Sequence, residues 1–171
     1  MCNHRNPYTW SRRDRVLYVF TLIPFGLAFL GTLYLLGTIS LVLPFIVAGL
    51  YMLANVFQAG CCVGCPYRGR FCPAIFGVYL ANFLSVRLYP KRQFNPRFFE
   101  INAALAEGCL LAILVLSAIC LWGLHWGYVG GLVILIATHV FLTLWLFCPK
   151  CSYRDTCPAG KMACRLFNIS S

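Results

Sequence analysis

The sequence predicts an all-α integral membrane protein, a four-transmembrane-helix bundle built from two tandem hairpin repeats with an interfacial amphipathic helix between them. Three observations lead to this prediction. The 171-residue chain is 61% hydrophobic and 11% charged, whereas soluble domains carry about 25% charged residues. Four apolar stretches reach the roughly 20 residues that a helix needs to cross the hydrocarbon core of a bilayer. A cysteine motif follows each pair of stretches.

The four predicted transmembrane helices form two hairpins, and they cover residues 16–36, 38–57, 103–122 and 128–147. Gly37 joins the first pair and residues 123–127 join the second, and neither joint carries a charged side chain. Lipid offers no hydrogen bonds to the backbone, so we expect helices throughout the spans. A signal peptide is the alternative for the first span. It is too long for a typical signal sequence and ends without a small-residue cleavage site, so we expect it to remain as a helix.

The positive charges predict the orientation in the membrane. The net charge is +10, and all fourteen Lys and Arg residues precede the first span, separate the second from the third, or follow the fourth. Because cytoplasmic loops are enriched in Lys and Arg, both termini and both cysteine motifs are predicted on the cytoplasmic face of an inner or plasma membrane. Basic residues beside a membrane contact anionic lipid headgroups. The expected partner is therefore the lipid bilayer, and no nucleic acid is expected.

Two cysteine motifs divide the chain into repeat unit one, residues 1–98, and repeat unit two, residues 99–171. The first motif, residues 61–74, contains CVGCPYRGRFCPA, and the second motif, residues 148–164, begins CPKCSYRDTCPA. Both read Cys-x-x-Cys, one further residue, Tyr-Arg and later Cys-Pro-Ala. Residues 75–98 form the last part of repeat unit one, and their apolar run is too short to span the membrane comfortably. They are predicted to form the interfacial helix, and a plain connector is the alternative.

Eight of the eleven cysteines are predicted metal ligands, since thiolates at Cys-x-x-Cys spacing reach one soft metal ion from a single turn. They form two triads and two candidates for a fourth ligand: Cys62, Cys65 and Cys72; Cys148, Cys151 and Cys157; Cys61 and Cys164. A fourth ligand from the other unit is the alternative. Disulfides are not expected in a reducing cytosol. Basic residues beside both motifs are expected to favour the thiolate forms, and they are Arg68, Arg70, Lys150 and Arg154.

The metal predicted from these motifs is zinc, with an iron–sulfur cluster as the alternative. Neither motif has the second Cys-x-x-Cys pair of many zinc sites, or the three closely spaced cysteines of bacterial ferredoxins. Zinc is favoured because it demands less of its surroundings. The predicted function is a membrane anchor or assembly subunit for a cytosolic or membrane protein partner. The alternatives are iron–sulfur electron transfer to a membrane quinone and handling of soft metals or thiols.

Other enzyme chemistry finds little support in the sequence. Quinone-coupled disulfide oxidation also uses Cys-x-x-Cys at the end of a four-helix bundle, but on the oxidising face, opposite to the face predicted here. The chain has only four acidic residues and no nucleotide-binding or nucleophile motif. No catalytic residue is therefore predicted.

Two ionisable residues inside the spans are candidates for an intramembrane polar site, because such groups are costly in lipid. Glu107 lies in the third span and His139 lies near the middle of the fourth. A proton relay or a quinone contact would use such a pair. The structural alternative is that Glu107 extends to the interface and His139 bonds a facing carbonyl group.

Overall fold

A computed structural model of the chain describes residues 8–73, 75, 79–151 and 158–168, and every regular element in these ranges is helical. The elements in chain order are α1 (Arg12–Ile39), α2 (Val42–Cys61), α3 (Tyr79–Leu88), α4 (Pro96–Leu124), α5 (Trp126–Leu146), a 3-10 helix (Cys148–Lys150) and α6 (Pro158–Leu166). The predicted all-α class is confirmed for the part of the chain described.

Helices α1, α2, α4 and α5 are long and apolar enough to cross a membrane, which confirms the number of predicted spans. At 1.5 Å per residue, the 29 residues of α4 extend about 43 Å and exceed a hydrocarbon core of about 30 Å. The helix therefore extends beyond the predicted span of residues 103–122 at both ends. The most extensive contacts are between α2 and α4 and between α1 and α5. The closest pairs thus join the two predicted repeat units, and the repeat architecture itself stays a prediction.

The bundle is apolar outside and partly polar inside. Large side chains such as Phe45, which is 77% exposed, cover its outer surface. Buried hydroxyl groups line the helix contacts and donate to carbonyl groups of their own helices, Thr21 Oγ1 to Tyr18 O at 2.8 Å and Thr143 Oγ1 to His139 O at 2.8 Å. Small and hydroxyl-bearing residues between helices are typical of membrane bundles. This distribution indicates an integral membrane protein.

The first hairpin joint lies further along the chain than the sequence predicts, and the second is shorter. Helix α1 continues through Gly37, and the chain turns at Ser40, so the predicted joint at Gly37 was wrong by three residues. In the second joint, His125 ends α4 and also caps α5, where its Nδ1 accepts a hydrogen bond from Gly127 N at 3.0 Å. At each break, the side chain of one residue accepts a hydrogen bond from the backbone N–H two residues later in the chain. This replaces the hydrogen bonds that a helix end lacks.

Two short helices lie outside the spans. Helix α3 occupies ten residues of the segment predicted to be interfacial and packs against α2. Its Asn82 and Ser85, which interrupt the apolar run, are buried in the protein. Helix α6 was not predicted, and it contacts the 3-10 helix and α5. A location of α3 at the membrane interface stays a prediction.

Candidate functional site

The end of the bundle where α1 begins and α5 ends is closed by an aromatic cluster, formed by Trp10, Tyr18, Tyr67 and Phe147. The Trp10 ring lies 6.0 Å from Tyr67 and 5.9 Å from Phe147 between centroids, and Tyr18 meets Phe147 edge to face at 5.6 Å. Such ring contacts add about 0.5–1.5 kcal/mol each beyond the area that they bury. The cluster therefore holds the chain before α1, the first cysteine motif and the end of α5 together.

Three of the predicted ligands pack against this aromatic cluster, two from the first motif and one from the second. They are Cys65 and Cys72 of the first motif and Cys151 of the second. Within the described ranges, no three Cys, His, Asp or Glu side chains are arranged to hold a metal ion. Cys157, the last member of the second triad, lies outside the described residues. The two motifs thus meet at one place, with their thiols spread around the rings.

The first motif begins with a tight turn at the end of α2. Cys65 N donates to Cys62 O at 3.2 Å, and Gly64 in this turn has φ +85°. This left-handed conformation is costly for residues with a Cβ atom. Just before the turn, a Cβ atom on Gly60 would lie 2.4 Å from the Asn102 side chain of α4. Two glycines therefore let α2 approach α4 and let the chain reverse over the end of the bundle.

Helix α3 braces the middle of the first motif. Asn82 Oδ1 accepts from Gly69 N at 2.8 Å, and its Nδ2 donates to the carbonyl oxygens of Tyr67, at 3.0 Å, and Arg70. The Arg68 guanidinium donates to Ser85 O at 2.7 Å and to Tyr89 O, near the end of α3. Arg68 thus adds a second hydrogen bond to carbonyl groups that already accept from the backbone N–H groups of Tyr89 and Arg92. These bonds fix the loop that carries Cys65 and Cys72.

The second motif is fixed by an ion pair. Cys151 N donates to Cys148 O at 3.2 Å across the 3-10 helix, the same hydrogen bond as in the first motif. Lys150 Nζ lies 3.0 Å from Asp14 Oδ1, and the side chains are 46% and 6% exposed. Asp14 also completes a capping box with Ser11 at the start of α1. The pair therefore ties the second motif to the first helix.

Burial, and not the basic side chains, dominates the protonation of Cys62. Burial raises the pKa of its thiol to about 12, the neighbouring Cys65 and Cys61 add to the rise, and Arg68 lowers it less. Arg68 therefore favours the thiolate as expected, but burial and the neighbouring cysteines outweigh it at this position. Desolvation disfavours a charged sulfur more than a partly engaged guanidinium stabilises it.

The candidates for fourth ligands lie at the edges of this region. Cys61 Sγ is 3.9 Å from Phe57 O and 3.8 Å from Phe99 O, so its thiol is directed at carbonyl groups of α2 and α4. Cys164 lies half-buried on α6. A ligand role for either stays a prediction.

The Trp10 indole provides a test of whether thiolates fit here. Trp10 is 5% exposed, and its Nε1 has no hydrogen-bond partner within the part of the chain described. A buried donor without an acceptor costs about 1–3 kcal/mol. Metal-bound thiolates accept such hydrogen bonds, and donors around the ligands are common in metal sites. Thiols are donors that suit a soft metal ion, but no three of the ligand-type side chains in the described ranges are arranged to hold one.

The two intramembrane candidates lie in different surroundings. His139 is fully buried, and its Nδ1 donates to Thr21 O of α1 at 2.6 Å, the contact that the structural alternative predicts. Glu107 is exposed on α4. Phe25, whose ring is 5.3 Å from His139, borders an apolar cavity of about 50 Å³. A cavity that binds benzene has about 150 Å³, so this space does not accommodate a quinone ring.

Comparison with protein-family models, with curated proteins and with solved structures finds no significant match. Function is therefore inferred from the residues at the aromatic cluster. Sequence reasoning missed Trp10, Asp14 and the bracing role of Asn82. The Ser11-x-x-Asp14 spacing is a recognisable helix-capping signal, whereas no sequence pattern marks Trp10.

Proposed function

We propose that this chain is an integral membrane protein whose cysteine motifs bind a soft metal ion, zinc in the leading case, on the cytoplasmic face. The metal orders that face as a platform for a cytosolic or membrane protein partner, so the chain acts as an anchor or assembly subunit. The observation that carries the proposal is the meeting of both motifs at one aromatic cluster. Predicted ligands that are distant in sequence are thereby brought to the same end of the bundle.

The surroundings of the cluster support a structural site. Asn82 and Arg68 hold the first motif, and the ion pair of Lys150 and Asp14 holds the second. Loops whose backbone is already ordered lose less conformational freedom on binding, which raises affinity. Structural zinc contributes directly to folding free energy. The bound metal would therefore stabilise this end of the bundle against local opening.

The charge distribution supports the cytoplasmic orientation. The basic side chains at the start of α1 and in the first motif lie at the same end as the cysteines, and those that are exposed include Arg12, Arg13, Arg15 and Arg70. The opposite end has the joints at Ser40 and His125, without Lys or Arg. The positive-inside rule assigns the basic end to the cytoplasm. When it is fused after residue 171, a reporter enzyme that works only in the cytoplasm should be active. A reporter that works only on the opposite side of the membrane should be inactive at the same position.

The metal is tested by anaerobic purification in detergent, followed by elemental analysis and a visible spectrum of one sample. The proposal predicts stoichiometric zinc and no colour. The double variant Cys65→Ser/Cys151→Ser should lose the metal, and Cys109→Ser, in the middle of α4, should retain it as the matched control. Protein that contains no metal in any preparation would refute the proposal.

Two other outcomes identify the alternatives. Iron with acid-labile sulfide and absorbance at about 400 nm would indicate iron–sulfur electron transfer, because the same thiols could hold an iron–sulfur cluster. Zinc that leaves readily on addition of a weak chelator would indicate a metal-handling protein. A structural site should instead retain zinc, because release exposes a partly unfolded motif.

A further inference from the structure

One side of the C-terminal helix α6 packs on the bundle. Gly160 and Ala163 lie three residues apart and are both buried, and α6 contacts the 3-10 helix and α5. Residues three and four apart lie on the same face of a helix, so this buried stripe marks the side that meets the protein. A helix of nine residues is too short to be stable alone in water, so its order depends on what it packs against.

The rest of α6 presents an apolar pair beside a basic pair. Met162 and Leu166, four residues apart, are 48% and 61% exposed. Lys161 and Arg165 are also exposed, and neither pairs with a carboxylate in the part of the chain that the structure describes. Successive residues are about 100° apart around a helix, so the two pairs form adjoining stripes. An apolar stripe beside a basic stripe is typical of helices that lie on membrane surfaces.

The end of α6 meets a side chain that faces outward from the bundle. The Phe167 ring lies 6.0 Å from the ring of Phe141 on α5, edge to face. Phe141 and Trp145 are each 55% exposed, on a helix that is long and apolar enough to cross a membrane. Phe141 precedes the end of α5 at Leu146 by five residues, about 7.5 Å along the helix axis. The chain after the second cysteine motif therefore returns along the outer surface of α5.

We propose that α6 lies in the interface of the bilayer leaflet at the basic end of the bundle and binds anionic phospholipid there. Met162 and Leu166 enter the outer part of the acyl region. Lys161 and Arg165 bind the headgroup phosphates, because an anionic leaflet attracts basic side chains beside it. The apolar pair continues the outer surface of α5, and the medium that covers that surface in a transmembrane helix is lipid. Neither contact requires a bound metal.

Hydrogen–deuterium exchange of the full chain in lipid nanodiscs tests the headgroup contact. The nanodiscs contain phosphatidylcholine alone or an equimolar mixture with phosphatidylglycerol. One Lys or Arg near an anionic surface is worth about fivefold in binding, so the two of α6 are worth up to about 30-fold. The amides of residues 161–167 should therefore exchange about 5- to 30-fold more slowly in the anionic nanodiscs. Equal exchange in the two lipids would overturn the proposal.

A pair of matched variants assigns the lipid dependence to α6. Lys161→Gln/Arg165→Gln should abolish the difference in exchange between the two lipids. Arg12→Gln/Arg13→Gln removes the same charge from exposed positions at the start of α1 and should leave that difference unchanged. A difference that persists in the α6 variant, or that disappears equally in both variants, would contradict binding by α6. The wild-type comparison remains decisive if a variant fails to fold.

Photo-crosslinking identifies what covers the apolar pair. Leu166 is replaced by benzoylphenylalanine, the protein is irradiated in vesicles of the same anionic mixture, and its peptides are analysed by mass spectrometry. The proposal predicts a phospholipid adduct on α6, as on α5 when Phe141 is replaced in the same way. A crosslink to a second copy of the chain, or a lipid adduct on α5 and none on α6, would overturn it. Metal content enters none of these measurements, so the proposed function is tested separately.

Discussion

The brace formed by Asn82 predicts a selective loosening of the first cysteine motif. Asn82→Ala removes one accepted and two donated hydrogen bonds, one of them fully buried. Each is worth about 1 kcal/mol net, so we expect local stability to fall by about 2–3 kcal/mol. Since 1.36 kcal/mol is a factor of ten, the open population of the motif should rise by about 30- to 150-fold.

Limited proteolysis measures this opening directly, because cleavage within a folded loop requires local unfolding and follows the open population. Trypsin should cut after Arg70 about 30- to 150-fold faster in Asn82→Ala than in the wild type. Ser85→Ala is the matched control on the same helix. The Ser85 hydroxyl is buried and has no partner within the described residues, so its removal should not accelerate cleavage. Equal rates in Asn82→Ala and the wild type, or equal acceleration in both variants, would refute the brace.

Three further predictions follow from the same end of the bundle. Lys150→Met should destabilise the protein by about 0.5–1 kcal/mol in thermal unfolding, because the lysine of this ion pair is half exposed and screened by water, and the effect should shrink in an Asp14→Asn background if the ion pair is its source. Gly64→Ala should strain the left-handed turn by about 1–2 kcal/mol and weaken metal retention, whereas Gly108→Ala, with nothing within 4 Å of an added Cβ, should not. Burial raises the pKa of the Cys62 thiol to about 12. The rate of Cys62 alkylation in chelator-treated protein should therefore keep rising tenfold per pH unit through pH 10. A rate that levels off near pH 9, as for an unstructured cysteine of pKa about 8.5, would contradict this.

The number and class of spans were predictable because lipid imposes a simple requirement, a long apolar helix. The joints were less predictable. Gly37 resembles a turn residue, yet a helix in a bundle tolerates glycine, and the chain breaks instead at Ser40, where the side chain accepts from Val42 N. At the second joint the break is confined to one residue, His125, because its ring caps the following helix.

A location of both motifs at one end of the bundle was expected from four spans, but their packing against one aromatic cluster was not predictable from their spacing. It depends on which helices pack together, and the contacts between α1 and α5 and between α2 and α4 are not encoded in a local pattern. Asn82 was visible only as an interruption of an apolar run, since its three backbone partners come from a loop 12 to 15 residues earlier. The sign of the Cys62 shift depends on burial in the tertiary structure, which local charge counting omits.

X-ray absorption spectroscopy of the anaerobically purified protein, at the edge of whichever metal it contains, tests the central claim most directly. Thiolate binding predicts a first shell of sulfur, at about 2.3 Å for zinc. The same spectrum from Cys65→Ser/Cys151→Ser protein should lose that shell. A first shell of only oxygen and nitrogen, or sulfur scattering that persists unchanged in the double variant, would contradict a metal site built from these cysteine motifs.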